Sequence, residues 1–481
     1  MQIRVVTKIL GSLLILFSIT MIPPLIVSLV YEDNELWSFI YAFFLILLAG
    51  SLFWLPAMHT KTTLKLRDGF IVVVMFWLVL STFGSLPLLL SEAINLSITD
   101  AIFESVSGLT TTGATIISNI DDLPKSILFY RQYLQWLGGL GIIVLAIAIL
   151  PILGIGGMHL YKAEVAGPLK NKLTPRITET AKALWAIYVF MTIACAVSYK
   201  FFGMSWFDAI SHSFSTIAIG GFSTHNESFA YFNSSSIELV AIFFMIIAGL
   251  NFSLHYLALK NKSLMIYRND KECNYYIYII IFVTAISLLY LHKLFGDLGY
   301  EESINSIFQT VSIITTTGYV NSEYSVFSGF LPIFLILFSF IGGCAGSTAG
   351  GMKVIRFTLL IKQGYRELTK LIHPNAKIKV KVGKNLVDER TIEAVWGFFA
   401  IYIFVFVTIM LVLMFSGLDF YTSFSAVAAT INNLGPGLGE VHNNYTNLTD
   451  LNKWALCLSM IIGRLEIFTL LVILTPEFWR K

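Results

Sequence analysis

The sequence predicts an all-α polytopic membrane protein. Four span–pore-loop–span repeats surround a central pore, with two extra N-terminal transmembrane helices ahead of them. Three observations carry this. Hydrophobic residues are 56% of the 481-residue chain and charged residues only 13%, about half the charged share of a soluble domain. Mean hydropathy is +0.76, and the apolar residues gather into runs of bilayer-crossing length, about 20 residues. Four intervening loops align with one another without gaps. The composition excludes a soluble enzyme, a nucleic-acid binder and a disordered scaffold.

Ten runs read as spans, near 6–30, 36–57, 70–90, 131–154, 183–203, 236–258, 275–294, 328–363, 394–416 and 454–475. The first is too long for a cleaved leader, lacks an A-x-A site and is followed at once by a second span. Basic residues set the orientation. Arg4, Lys8, Lys61, Lys65, Arg67, Lys162, Lys170, Lys172, Arg176, Lys182, Lys260, Lys262, Arg268, Lys271 and a dense set from Lys353 to Arg390 fall on one side. The other side receives Lys125, Arg131, Lys200, Lys293 and Lys453. The basic-rich side is cytoplasmic, so both termini are cytoplasmic. The basic insert at 357–393 reads first as an inner-leaflet loop. Cys195, Cys273, Cys344 and Cys457 stand apart, with no metal or disulfide spacing.

The aligned loops are DAIFESVSGLTTTGA (Asp100 to Ala114), DAISHSFSTIAIGGF (Asp208 to Phe222), NSIFQTVSIITTTGY (Asn305 to Tyr319) and TSFSAVAATINNLGP (Thr422 to Pro436). Gly113, Gly221, Gly318 and Gly435 share one column. Ser107, Ser215 and Ser312 share another, with Ala429 in the fourth repeat. One TTTG is weak, because Thr and Gly are common at helix contacts in membranes; four segments aligned in register on one glycine column define the architecture. The chain divides into a two-helix extension at 1–67, repeat 1 at 68–160, repeat 2 at 161–265, repeat 3 at 266–385 with a broken second helix, and repeat 4 at 386–481.

A short helix entering the membrane points its C-terminal end, with its partial negative charge, at the bilayer centre. The extended backbone after it survives there only where protein or water satisfies it. Four such strands turn carbonyl oxygens toward one axis and can replace a cation's hydration shell. Glu104 shares its column with His212, Gln309 and Ala426, so no acidic ring exists. That argues against a calcium channel and for a monovalent cation.

The strings SVSGLTTTGAT, STIAIGGFSTH, SIITTTGY, NNLGPGLGE, GGCAGSTAGGMK and GRLEIFTLL resemble the Trk/Ktr/HKT superfamily of potassium transporters, in its TrkH-type branch, over nearly the whole chain. The resemblance implies potassium uptake at the inner membrane of a prokaryote, a homodimer with one pore per protomer, and a cytosolic TrkA-type nucleotide-binding ring. Nucleotide belongs to that partner; this chain needs no cofactor and binds no transition metal. Carried over residue by residue, the potassium filter is Thr111, Thr112 and Gly113; Ile219, Gly220 and Gly221; Thr316, Thr317 and Gly318; and Asn433, Leu434 and Gly435. Gly rather than Ser at 113 implies potassium over sodium. The strands differ in side chains, so the carbonyls around the Gly column, not the hydroxyls, form the ring.

The run at 328–363 is too long for one span at 1.5 Å per residue. Its middle, Gly342 to Lys353, carries Gly342, Gly343, Gly346, Gly350 and Gly351 and cannot hold a good helix. It follows the third pore segment and is expected just beneath the filter, as a gate. Arg464 lies near the middle of the last span, where a charge is costly and functional by default. Glu466 points to another face, so carbonyls, Ser347 or Thr348 of the loop are candidate partners. The resemblance gives Arg464 and the loop gating roles; the plainer reading is an anchor held by a neighbouring Glu. Lys353 is a second barrier charge or, the preferred reading, an inner-leaflet anchor.

His212 and His225 read as packed or solvated, and Asp121, Asp122, Glu227, Glu302 and Glu440 as solvated charge. Two other functions compete with a gated pore. A proton- or sodium-coupled symporter with alternating access uses inverted repeats and broken helices, but here the repeats are parallel and the broken span occurs once. A membrane enzyme needs clustered carboxylates, His or a metal set, and none is present.

Overall fold

The computed structural model describes residues 2–60, 66–144, 177–321, 329–383, 385–465 and 467–480. The chain is an all-α polytopic membrane fold. Six described helices are long and apolar enough to cross a bilayer: Ile3–Tyr31, Leu36–Ala57, Arg67–Leu90, Ala181–Phe201, Lys271–Phe295 and Glu389–Phe415. Lys125–Val144 carries the described part of the fourth predicted span. Residues 145–154 and Glu466 lie outside the described residues, as do Lys61, Lys65, Lys162, Lys170, Lys172 and Arg176 from the charge count. The first two spans cross at Gly11 and Gly50, where a Cβ on Gly11 would sit 2.6 Å from the Trp54 nitrogen. Small residues let the two backbones approach that closely.

Four short helices follow the first span of each repeat: Ile98–Leu109, Trp206–Ala218, Tyr300–Ile314 and Phe420–Ile431. At 12 to 15 residues they cannot cross a membrane. Three start on a side-chain cap. Ser97 accepts from the Asp100 amide, Ser205 from that of Asp208 and Asp419 from that of Thr422, satisfying amides that a helix start leaves open. Polarity runs inward. Ser105, Ser211, Ser312 and Ser425 on these helices are fully buried, whereas Phe190 and Phe404 on the long spans are 65% and 71% exposed. A protein in lipid presents apolar side chains outward and keeps irregular backbone inside.

The eighth predicted span is broken as its glycines require: Phe330–Ser339, an irregular stretch, then Val354–Ile372. The expectation of a single broken span is corrected. Ser235–Ala248 and Phe252–Asn261 meet at 92°, and Asp450–Leu465 and Ile467–Leu474 at 113°. The first bend has a local cause. Asn251 accepts from the Ser253 amide at 2.8 Å and so starts a new helix. Gly249 sits where a Cβ would come within 2.1 Å of the Tyr276 hydroxyl. The basic insert carries a small antiparallel hairpin that pairs Lys381 with Leu386.

A fourfold ring of backbone and the loop beneath it

Each short helix ends in the same turn. The residue two before the column glycine is left-handed in all four repeats: Thr111 at φ 53°, Ile219 at 55°, Thr316 at 64° and Asn433 at 53°. The next amide returns to the column of Ser107: Thr112 to Ser107 at 2.9 Å, Gly220 to Ser215 at 2.8 Å, Thr317 to Ser312 at 2.8 Å and Leu434 to Ala429 at 2.7 Å. This is a Schellman closure, whose left-handed position usually holds Gly. Thr and Ile there cost about 1–2 kcal/mol each. Such strain persists where the surroundings fix it, and it clusters at functional sites.

The column glycines then close a ring. A Cβ on Gly113 would lie 2.2 Å from the Gly220 oxygen, and one on Gly221 would lie 2.1 Å from that of Thr317. On Gly318 it would lie 1.9 Å from the Leu434 oxygen, and on Gly435 it would lie 2.6 Å from that of Thr112. Each repeat abuts the carbonyl before the glycine of the next, and the fourth returns to the first. All twelve residues named from the sequence for the ring therefore lie together.

Polar side chains fix the strands from behind. Arg131 binds Glu104 at 2.7 Å, both fully buried, and donates to the Thr115 hydroxyl at 3.1 Å. Asn433 donates to the Thr112 hydroxyl at 2.9 Å, and Tyr445 to the Gly435 carbonyl at 2.8 Å. Gln135, on the second span of repeat 1, donates to the Gly220 carbonyl at 2.6 Å and accepts from the Phe222 amide at 3.1 Å. None of these partnerships was read from the sequence. A Gln inside a span is the available signal for Gln135, but its partners lie in the next repeat.

The Gly-rich loop lies directly against the helix-side end of the ring. Gly350 donates to the Thr316 hydroxyl at 2.7 Å, Gly351 to the Asn432 carbonyl at 3.1 Å, and Thr348 to the Ile217 carbonyl at 2.9 Å. Gly342, Gly346 and Gly351 have φ of 67°, 73° and 71°, which an L side chain resists. The loop also grips the bend in the sixth span: Cys344 donates to Gly249 at 2.9 Å and Phe252 to Gly346 at 3.0 Å. Arg464, 4% exposed, donates through Nη1 to the Thr348 carbonyl at 2.9 Å, while its Nε and Nη2 have no hydrogen-bond partner among the described residues. Of the candidate partners, a loop carbonyl is the one it meets. Lys353, for which an inner-leaflet anchor was the preferred reading, donates to the Ala349 carbonyl. Ser347 bonds within the loop, to Cys344 at 2.6 Å.

On the opposite side of the ring lies a cavity of about 530 Å³, which touches all four column glycines, His225 and Tyr445. Both histidines are packed, one of the two states the sequence reading allowed. His212 is fully buried and meets the Ser223 hydroxyl at 2.9 Å. His225 lies between Asp121 at 2.8 Å and Asp208 at 3.4 Å, stacked on Tyr231. Asp121 is thus a partner, not free solvated charge. Its partial burial favours the protonated acid, but hydrogen bonds from His225 and Asn226 outweigh that and hold its pKa below the ordinary 3.8.

The sequence profile of the TrkH family, described as a cation transport protein, matches residues 36–481. The chain is 53% identical to a Trk system potassium uptake protein TrkH from Vibrio parahaemolyticus over 486 aligned positions, covering all of both chains. It is 52% identical to one from Escherichia coli, again over the whole of both. A Trk system potassium uptake protein TrkG from Escherichia coli is 42% identical across all of this chain and 99% of its own. The crystal structure of the potassium transporter TrkH from Vibrio parahaemolyticus superposes with a TM-score of 0.93 at 52% identity, covering 100% of both chains. These relatives are named as transporters, not enzymes. On the profile match, the full-length identities and the shared fold, this chain belongs to the TrkH family of cation transport proteins.

Proposed function

We propose that this protein takes up potassium ions across the inner membrane of a prokaryote through a channel-like pore. The observation that carries the reading is the cyclic approach of each column glycine to the next strand's carbonyl. Four backbones that close on one another in this way aim oxygens at one axis, and such oxygens replace the hydration shell of a monovalent cation. The ring of Thr112, Gly220, Thr317 and Leu434 carbonyls is the filter, and the residues named around it hold its shape. The loop from Gly342 to Lys353 is the gate, with Arg464 as its latch and as a positive barrier. The membrane potential drives uptake, supplying about 2.3 kcal/mol per charge for each 100 mV.

The relatives' Trk-system names support a multicomponent assembly. The proposed one is a homodimer on a cytosolic TrkA-type nucleotide-binding ring, with both termini of this chain cytoplasmic and the repeats divided near 68, 161, 266 and 386. A proton- or sodium-coupled symporter is the second reading. The additional bends at 92° and 113° favour it more than a single broken span does, since carriers build sites at such breaks. The parallel fourfold ring still favours a pore.

The test is cation flux into liposomes, comparing K⁺, Rb⁺, Na⁺ and Li⁺, with Gly113→Ser alongside. Passive flux selective for K⁺ and Rb⁺, with selectivity degraded by the substitution, is expected. Flux that needs an opposing proton or sodium gradient moves the protein to the carrier class.

A further inference from the structure

The four ring carbonyls are not equivalent. That of Gly220 accepts a hydrogen bond from Gln135 Nε2 at 2.6 Å. Those of Thr112, Thr317 and Leu434 accept none among the described residues. The orientation of the Gln135 amide is fixed by its two backbone partners, because its Oε1 takes the Phe222 amide at 3.1 Å and an amide can only donate. Gln135 is fully buried.

The same contact accounts for a departure in the sequence. The position before the column glycine holds Thr112, Thr317 and Leu434 in three repeats and Gly220 in the second. Gly220 does not have a positive φ, so its backbone does not demand glycine. A Cβ there would lie 2.4 Å from Gln135 Cδ and 2.5 Å from its Oε1. The Gln135 amide occupies the space that a side chain at 220 would fill. In repeats 1 and 3 that side chain is a Thr, whose hydroxyl meets Thr110 or Thr315 at 2.7 Å. Repeat 2 takes its support from a neighbouring repeat's span instead.

We infer that Gln135 is a positioning residue that sets ion selectivity by holding, and partly neutralising, one of the four ring carbonyls. This rests on the filter reading above. A carbonyl that already accepts a hydrogen bond offers a weaker field to an ion and cannot swing inward. Number and field strength of carbonyls both bear on discrimination between K⁺ and Na⁺. A weaker, fixed ligand disfavours the smaller ion more, because the smaller ion draws most from close, strong contacts. Loss of the donor therefore strengthens and frees the Gly220 oxygen and admits Na⁺.

The experiment is K⁺ and Na⁺ flux through the full-length chain in liposomes. Gln135→Met keeps the length and removes the donor. It is expected to lower the K⁺/Na⁺ flux ratio about threefold or more, the scale of one net hydrogen bond. Gln132→Met is the matched comparison, since Gln132 holds the Phe222 carbonyl at 3.1 Å, outside the ring; it is expected to alter flux without that change in ratio. An unchanged ratio in Gln135→Met, or an equal shift in Gln132→Met, overturns the inference. Should Gln135→Met not fold, the space-filling relation decides: Gly220→Ala is expected to lose flux, and Gln135→Ala added to it to restore flux. A double variant no better than Gly220→Ala overturns the inference. Gly113→Ser separates the two readings. If it also leaves the ratio intact, the filter itself is misassigned; if it shifts the ratio while Gln135→Met does not, only the role of Gln135 fails.

Discussion

The main-chain amide of Gly350 donates to the hydroxyl of Thr316 at 2.7 Å, so the glycine-rich loop hangs from a strand of the ring it underlies. A net hydrogen bond contributes about 0.5–1.5 kcal/mol. Thr316→Val removes this one and is expected to raise K⁺ or Rb⁺ flux by about two- to tenfold. Thr316→Ser keeps the hydroxyl and is expected to return flux toward the parent level. Liposome uptake of Rb⁺ checks both; equal flux in the two variants would remove the bond from the proposed gating scheme.

Arg464 is the second latch of the proposed gate. Its guanidinium donates to the Thr348 carbonyl at 2.9 Å, and a charged donor contributes about 1.5–3 kcal/mol. In the proposed pore, Arg464→Ala also removes a buried positive charge from beneath the ring. Flux is expected to rise by about tenfold or more, with Arg464→Lys between the two. Unchanged or reduced flux in a variant with parent-like thermal unfolding assigns Arg464 to structure alone.

The Arg131–Glu104 pair answers to a stability measurement. Both side chains are buried and 2.7 Å apart, and removing one partner of such a pair costs about 3–5 kcal/mol, because the other charge is left uncompensated. Glu104→Gln and Arg131→Met are each expected to lower the thermal unfolding midpoint in detergent clearly. The double variant is expected to lose less than the two singles added together. Additive losses would mean the two charges do not depend on each other.

Asp121 predicts a response to acid. Its folded pKa lies below 3.8, so its carboxylate contributes stability above about that pH, and the contribution is lost as pH falls through the lower folded value. Its side chain is 45% exposed, and solvent screening keeps the effect small. The parent's unfolding midpoint is expected to fall slightly faster than that of Asp121→Asn as pH falls below about 4. Parallel profiles would show that the clasp with His225 adds nothing.

The ring was legible because its information is local and repeated. Four short segments, aligned without gaps, gave the glycine column and the expected carbonyl geometry. The glycines from Gly342 to Gly351 marked the broken span for a similar reason. The supports were not legible. Gln135 and Gly220 are 85 residues apart, and nothing in either segment names the other. The bend at Gly249 and Asn251 escaped because hydropathy runs on through it; the Asn cap two residues past a Gly was the available signal.

The ring also sets an order of assembly. Gly435 meets the carbonyl of Thr112, and Asn433 bonds the Thr112 side chain across 321 residues of sequence. Lys453 reaches back to Asp100 at 2.6 Å. A chain emerging from the ribosome N-terminus first can join the first three repeats in sequence, but the circle stays open until the last repeat is inserted. Until then the strained turns at Thr111 and Asn433 lack the neighbours that hold them. Truncation before residue 435 therefore leaves the whole circle open rather than removing a quarter of it.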